Sequence, residues 1–155
     1  MSNAFNTLDE LYAELDSIYT DHKLRKHSPI LERYEGEDWI PLVEYDDKTY
    51  CRKKLESYSN DRFEFILISW NPNQSSPIHD HPESGCLLKI LKGELVEEIY
   101  DRSDELNHLT TNKLQTSSVS YMESNRILHR IVNETNTPTI SLHIYSPPNY
   151  NCKCY

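Results

Sequence analysis

The sequence predicts a mainly β protein, a β-barrel carrying an N-terminal helical cap. Three observations point to it. Apolar residues near the N-terminus recur every three or four positions and then the pattern stops. From Tyr50 onward, short apolar or alternating runs follow one another, separated by turn residues. One of these runs, Thr139 to Tyr145, alternates strictly between polar and apolar side chains. At 155 residues the chain is expected to be one domain with a single well-buried core, residues 1–44 forming the cap region and 45–155 the barrel.

The helix is expected over Thr7 to Thr20. Thr7 followed by Glu10 makes a capping box, and Leu8, Leu11, Tyr12, Leu15, Ile18 and Tyr19 line one face. A second, short helix is expected from Pro29 to Glu35, with proline in the first turn and Gly36 ending it. Strands then follow at Arg62–Trp70, Cys86–Leu91, Glu94–Asp101, Val119–Met122, Leu128–Asn133 and Thr139–Tyr145. Lys92-Gly93 makes a tight turn, and Asn71-Pro72-Asn73-Gln74 is a break between strands. The sequence has no internal repeat, low-complexity tract or flexible linker.

Charge narrows the partners. Twenty-five acidic against 16 basic residues give a formal charge of -9, which argues against a nucleic acid or an anionic membrane surface. It leaves room for a small anionic substrate met by one local arginine. The longest apolar run, Phe65 to Ile68, is far too short to span a bilayer, and nothing at the N-terminus resembles a signal peptide. The four cysteines, at 51, 86, 152 and 154, form no disulfide framework, so a reducing, cytoplasmic setting with free thiols is expected. Cys152 and Cys154 read as part of a loose tail. The sequence leaves the oligomeric state open and is compatible with a monomer.

The chemistry centres on His79-Asp80-His81. In an extended segment side chains alternate, so one intervening residue puts both imidazoles on the same side. His129 can join them if its strand lies nearby in a barrel. Three neutral imidazoles on one face of a metal leave positions open for other ligands, as catalytic sites do and closed structural sites do not. Imidazole suits zinc, copper, nickel and iron alike, so the histidines do not name the metal. His22, His27 and His108 lie in polar stretches and are assigned to surface or core. In the last strand, Thr139, Ser141, His143 and Tyr145 share the polar face. Either that face meets water or it lines a pocket, where a tyrosine hydroxyl supported by His143 and Ser141 can point at the metal.

These residues fall in register with a known pattern. His79-x-His81, then Cys86 and Gly93, resembles the first cupin motif, and His129-xxx-Asn133 resembles the end of the second. Cys86 stands where a standard cupin has a glutamate ligand. Within the cupins that replacement resembles the cysteine dioxygenase family. The resemblance extends from Tyr50-Cys51-Arg52, through Ser76-Pro77-Ile78-His79-Asp80-His81 and Leu128-His129-Arg130, to Ser141 through Pro148, roughly residues 45 to 152.

The resemblance implies a cupin β-barrel (jelly roll) and a non-haem iron enzyme that converts L-cysteine and O2 to cysteine sulfinic acid without an external reductant. It implies that His79, His81 and His129 bind one Fe(II), that Arg52 binds the substrate carboxylate with Tyr50 beside it, and that Trp70 lines the pocket. Cys86 and Tyr145 are the implied thioether pair, Ser141 and His143 the relay that orients Tyr145, and Ser146-Pro147 a cis bond. A guanidinium fork suits a carboxylate, and Arg52 keeps its charge in a dry pocket. Two other readings remain: a dioxygenase of another small thiol such as 3-mercaptopropionate, and a non-catalytic cupin that binds a metal or ligand. A supported tyrosine is superfluous in the second.

Overall fold

The computed structural model describes residues 3–20, 23–123 and 127–155. Helix α1 (Leu8–Ile18) starts where expected, with Thr7 Oγ1 accepting from Glu10 N at 3.1 Å. The Glu10 carboxylate takes the Thr7 hydroxyl, at 3.2 Å, so the box closes side chain to side chain. Helix α2 (Ser28–Glu32) stops three residues before Glu35. The reason is Lys89, a buried lysine whose ammonium donates to the carbonyls of Leu31, Glu32 and Tyr34 at 3.3, 2.8 and 2.7 Å. Those carbonyls end the helix, and the chain turns back so that Glu35 N meets Phe5 O at 2.8 Å.

Among the described residues eight strands follow: β1 (Cys51–Lys54), β2 (Glu64–Trp70), β3 (Cys86–Lys92), β4 (Glu94–Arg102), β5 (Leu106–Gln115), β6 (Val119–Met122), β7 (Ile127–Val132) and β8 (Thr139–Tyr145). They form a five-stranded sheet in the order β1-β2-β8-β3-β6 and a three-stranded sheet in the order β5-β4-β7. All pairings within the two sheets are antiparallel. The β3–β4 turn carries the chain from one sheet to the other, and Gly93 at its corner has φ +92°, a conformation open chiefly to glycine. Strands β1 and β5 were not expected from the sequence. Neither carries the apolar alternation that marks a strand, and β5 is exposed over Leu106–Lys113, held by its pairing with β4.

The five-stranded sheet is covered on both faces, which explains why β2 and β8 are buried at every position. One face packs Phe65, Leu67, Leu87, Ile140, Leu142 and Ile144 under the helical cap, against Leu8, Leu11, Leu15 and Leu31. The other turns Ile66, Ile68, Trp70, Leu88 and Ile90 inward against Leu95, Leu114 and Ile131 of the second sheet. The polar face of β8 is therefore turned into the barrel: Thr139 and Ser141 are fully buried, and His143 and Tyr145 nearly so. Arg62 ties the cap to this sheet through the Tyr19 carbonyl and the Asp16 carboxylate. The Tyr19 hydroxyl meets Ser146 Oγ at 2.5 Å, just past the end of β8. Among the described residues, no helix is long and apolar enough to cross a membrane.

Candidate metal centre

His79 lies in the connection between β2 and β3, beside β7. Its N–H donates to His129 O at 3.0 Å and its carbonyl accepts from His129 N at 3.2 Å, so the two residues stand directly opposite and share a face. His81, two residues on, returns to that side. The three rings gather with centroids 4.3 to 5.0 Å apart. Nε2 of His129 lies 2.9 Å from Nε2 of His81 and 3.1 Å from Nε2 of His79.

The proton positions follow from the partners. His79 Nδ1 is 2.9 Å from the Pro77 carbonyl, which can only accept. His129 Nδ1 is 2.9 Å from Glu97 Oε2, whose carboxylate also takes the Ser120 hydroxyl at 3.1 and 3.2 Å. Both Nδ1 atoms thus carry the proton of a neutral ring, and burial holds both rings neutral by lowering their pKa, most strongly for His129. Two Nε2 lone pairs then face each other at 3.1 Å. That arrangement is repulsive unless a cation sits between them. Two donors about 2.1 Å from one ion, at roughly right angles, are about 3.0 Å apart, so the observed spacing fits. His81, also held neutral by burial, has a buried Nδ1 with no hydrogen-bond partner among the described residues. The sequence-predicted trio is the three-residue group that can hold a metal ion among the described residues.

A cavity of about 220 Å³ is lined by His79 and His129 of this trio, while His81 is fully buried. Tyr50 stacks on Trp70, with ring centroids 4.7 Å apart and planes 15° from parallel. Trp70 Nε1 donates to Ser141 Oγ at 2.9 Å, and the Ser141 hydroxyl meets His143 Nε2 at 2.8 Å. Neutral His143 then carries its proton on Nδ1, which faces the Tyr145 oxygen at 3.4 Å. Cys86 and Tyr145 are directly opposite on β3 and β8. Both are buried, and burial raises the pKa of each, so both are protonated near neutral pH. Arg52 comes from β1, its guanidinium carbon 5.6 Å from the centre of the Tyr145 ring. Asn133, fully buried, donates to Trp70 O and Thr137 O, each at 2.8 Å, and so fixes the end of the wall that Trp70 forms.

Two expectations need correction. Arg52, on edge strand β1, is not enclosed in a dry pocket: its side chain is partly desolvated against Tyr145 and Tyr50 and partly exposed at the cavity mouth. The C-terminal residues are not a loose tail: backbone hydrogen bonds hold them to the 78–80 segment, and Cys152 and Cys154 line the cavity. All four cysteines are free thiols. Of the histidines set aside, His27 is buried beside Tyr19 and His108 is exposed on β5. His22 lies outside the described residues.

The sequence profile for cysteine dioxygenase type I matches residues 5–155. The chain belongs to the cysteine dioxygenase type I family. Cysteine dioxygenase type 1 of Rattus norvegicus is 32% identical, the match covering 96% of this chain and 78% of that protein. The Danio rerio protein of the same name is 30% identical, over 96% and 79%. Among solved structures, a cupin superfamily protein from Desulfitobacterium hafniense overlays with a TM-score of 0.52 at 20% identity, covering 68% of this chain and 84% of that one. A double-stranded β-helix protein from Klebsiella pneumoniae gives a TM-score of 0.56 at 16% identity, over 74% and 91%. These two likenesses establish the cupin fold.

In this cysteine dioxygenase family member, two contributors escaped the sequence reading. Glu97 shares a strand face with Leu95, and an acid on an otherwise inward apolar face is the signal that could have found it. The C-terminal segment left no such signal, because backbone groups hold it.

Proposed function

We propose that the chain is an Fe(II)-dependent thiol dioxygenase, acting in the cytoplasm, that converts L-cysteine and O2 to cysteine sulfinic acid. The observation that supports this reading most is the convergence of three neutral imidazoles, two of them lining a cavity whose mouth holds Arg52 and whose wall holds a supported tyrosine. His79, His81 and His129 would hold the iron through Nε2. When bound, the ion supplies a redox-active centre at which a substrate thiolate and dioxygen can meet.

The rest of the work falls to the chain. Arg52 offers a two-pronged donor to the carboxylate of the amino acid and orients its sulfur inward. Tyr50 and Trp70 form the flat wall beside it. Glu97 keeps the His129 proton on Nδ1 and so keeps Nε2 free as a donor atom. Trp70, Ser141 and His143 form a hydrogen-bonded line that ends on the Tyr145 oxygen and holds the phenol as a proton donor facing the cavity. Cys86, opposite Tyr145, is placed for a thioether to the phenol ring that would remove the ring's rotational freedom. The sulfinate product gains both oxygen atoms, so the reaction needs no reductant. The cavity is below the roughly 300–1,000 Å³ of sites for drug-sized ligands, which suits a substrate of amino-acid size.

Oxygen consumption by the iron-loaded protein, with cysteine, cysteamine and 3-mercaptopropionate in parallel, tests the proposal. Cysteine should be the fastest of the three. A higher kcat/KM for 3-mercaptopropionate would reassign the substrate, and no consumption with any thiol would turn the reading toward a binding protein.

A further inference from the structure

Residues 149–155 run as a strap along the segment that carries two of the three histidines. Tyr155 N donates to Ile78 O at 2.9 Å, and Asp80 N donates to Lys153 O at 3.1 Å. This is the widely spaced step of an antiparallel ladder, and it sets Cys154 directly opposite His79. Asp80 adds its side chain. Its Oδ1 accepts from Lys153 N at 2.8 Å, and the charge of the same carboxylate acts on the Tyr150 hydroxyl. Elsewhere the strap is held by Lys54 Nζ on Asn149 Oδ1 at 3.0 Å and by Arg102, whose guanidinium carbon lies 4.4 Å from the centre of the Tyr155 ring.

Strand alternation explains why Asp80 is free for this task. His79 and His81 point to the imidazole cluster, so the residue between them points away, toward the strap. No residue of the strap is buried, only Tyr150 and Cys152 being even partly covered. A segment with so little buried surface opens locally at small cost, so each hydrogen bond is a large share of what keeps it closed. On its inner side the strap gives the cavity Tyr150, Asn151, Cys152 and Cys154. Together with Tyr50, Ser76, Pro77 and His79, it forms the part of the wall that no barrel strand supplies.

We propose that Asp80 is a positioning residue whose carboxylate pins this strap across the cavity mouth, setting the wall a small thiol meets on entry. The pinning stands on the contacts alone; its effect on substrate rests on the thiol dioxygenase reading. Three variants separate the effects. Asp80→Ala removes both side-chain interactions, Asp80→Asn keeps an oxygen to accept from Lys153 N, and Lys153→Pro removes the donor without touching the histidine segment.

The first readout is alkylation of Cys152 by iodoacetamide in metal-free protein, followed peptide by peptide by mass spectrometry, with exposed Cys154 as the internal reference. Relative to Cys154, the Cys152 rate should rise about tenfold in Asp80→Ala and Lys153→Pro and stay within about twofold in Asp80→Asn. The second readout is kinetic: in the iron-loaded protein, KM for cysteine should rise more than kcat falls in the first two variants. An unchanged Cys152 rate in both would overturn the pinning. A raised rate with an unchanged KM would overturn the strap's part in substrate recognition. If the parent protein consumes no oxygen with any thiol, the dioxygenase reading fails while the alkylation rates still decide the pinning.

Discussion

Replacing Arg52 with alanine separates substrate binding from support of Tyr145, because the guanidinium serves both. Its carbon lies 5.6 Å from the Tyr145 ring centre, so part of any loss will be common to every substrate. The other part requires a carboxylate. A hydrogen bond to a charged group contributes about 1.5–3 kcal/mol, or roughly 10- to 150-fold. Arg52 is exposed on an edge strand, so solvent screening places the carboxylate part toward the lower end. Cysteine and cysteamine differ by that carboxylate, and the ratio of their kcat/KM values cancels the common loss. Measured by oxygen uptake in iron-loaded protein, the cysteine-to-cysteamine ratio should fall about 10- to 30-fold in Arg52→Ala. Arg52→Lys should recover part of it, since charge remains and the planar fork is lost. The cysteine advantage should also shrink with added salt. Equal losses for both substrates would refute the argument and leave Arg52 as a support for Tyr145 alone.

Other outcomes follow from the same geometry. His129→Ala should abolish iron retention, measured by metal analysis after gel filtration, while His108→Ala should leave it intact. Glu97→Gln should keep the fold and weaken metal affinity about 10- to 100-fold by titration, because it loosens control of the His129 ring. Protein that has turned over with iron, oxygen and thiol should lose two hydrogens in intact-mass measurement, and Cys86→Ser should show no such loss while keeping its iron. In metal-free protein, half-buried His79 and buried His81, His129 and His143 are neutral with folded pKa values below the ordinary 6.5. The unfolded chain then binds more protons below that pH, so urea midpoints should hold above about 6.5 and fall as pH drops through it.

What the sequence revealed and what it hid divide along one physical line. Strand β8 was legible because its two faces meet different surroundings, and the period of two writes that difference into the residue order. The same rule made His79 and His81 legible as a pair. Strand β1, Cys-Arg-Lys-Lys, and the polar β5 have no apolar face to record, and their partners are chosen by backbone pairing. The C-terminal strap is a further case: its ladder to the 78–80 segment uses N–H and C=O groups that every residue carries. Arg52 was found through its neighbours, but its exposure depended on β1 lying at the sheet edge, which residue order alone does not encode.

The two-sided burial of β8 also bears on how this lineage can vary. Leu142 faces the cap core and His143 the cavity, with Ser141 and Tyr145 on the cavity side as well. A single-residue insertion or deletion within the strand would exchange the two faces, sending leucine and isoleucine toward the cavity and the polar trio into the apolar core. Point substitutions there can be graded, but a change of length cannot. The β4–β5 hairpin, whose tip lies in exposed residues around Ser103 to Leu106, faces no such constraint. Variation in length should therefore accumulate at that hairpin, while β8 changes its residues one at a time and keeps its count.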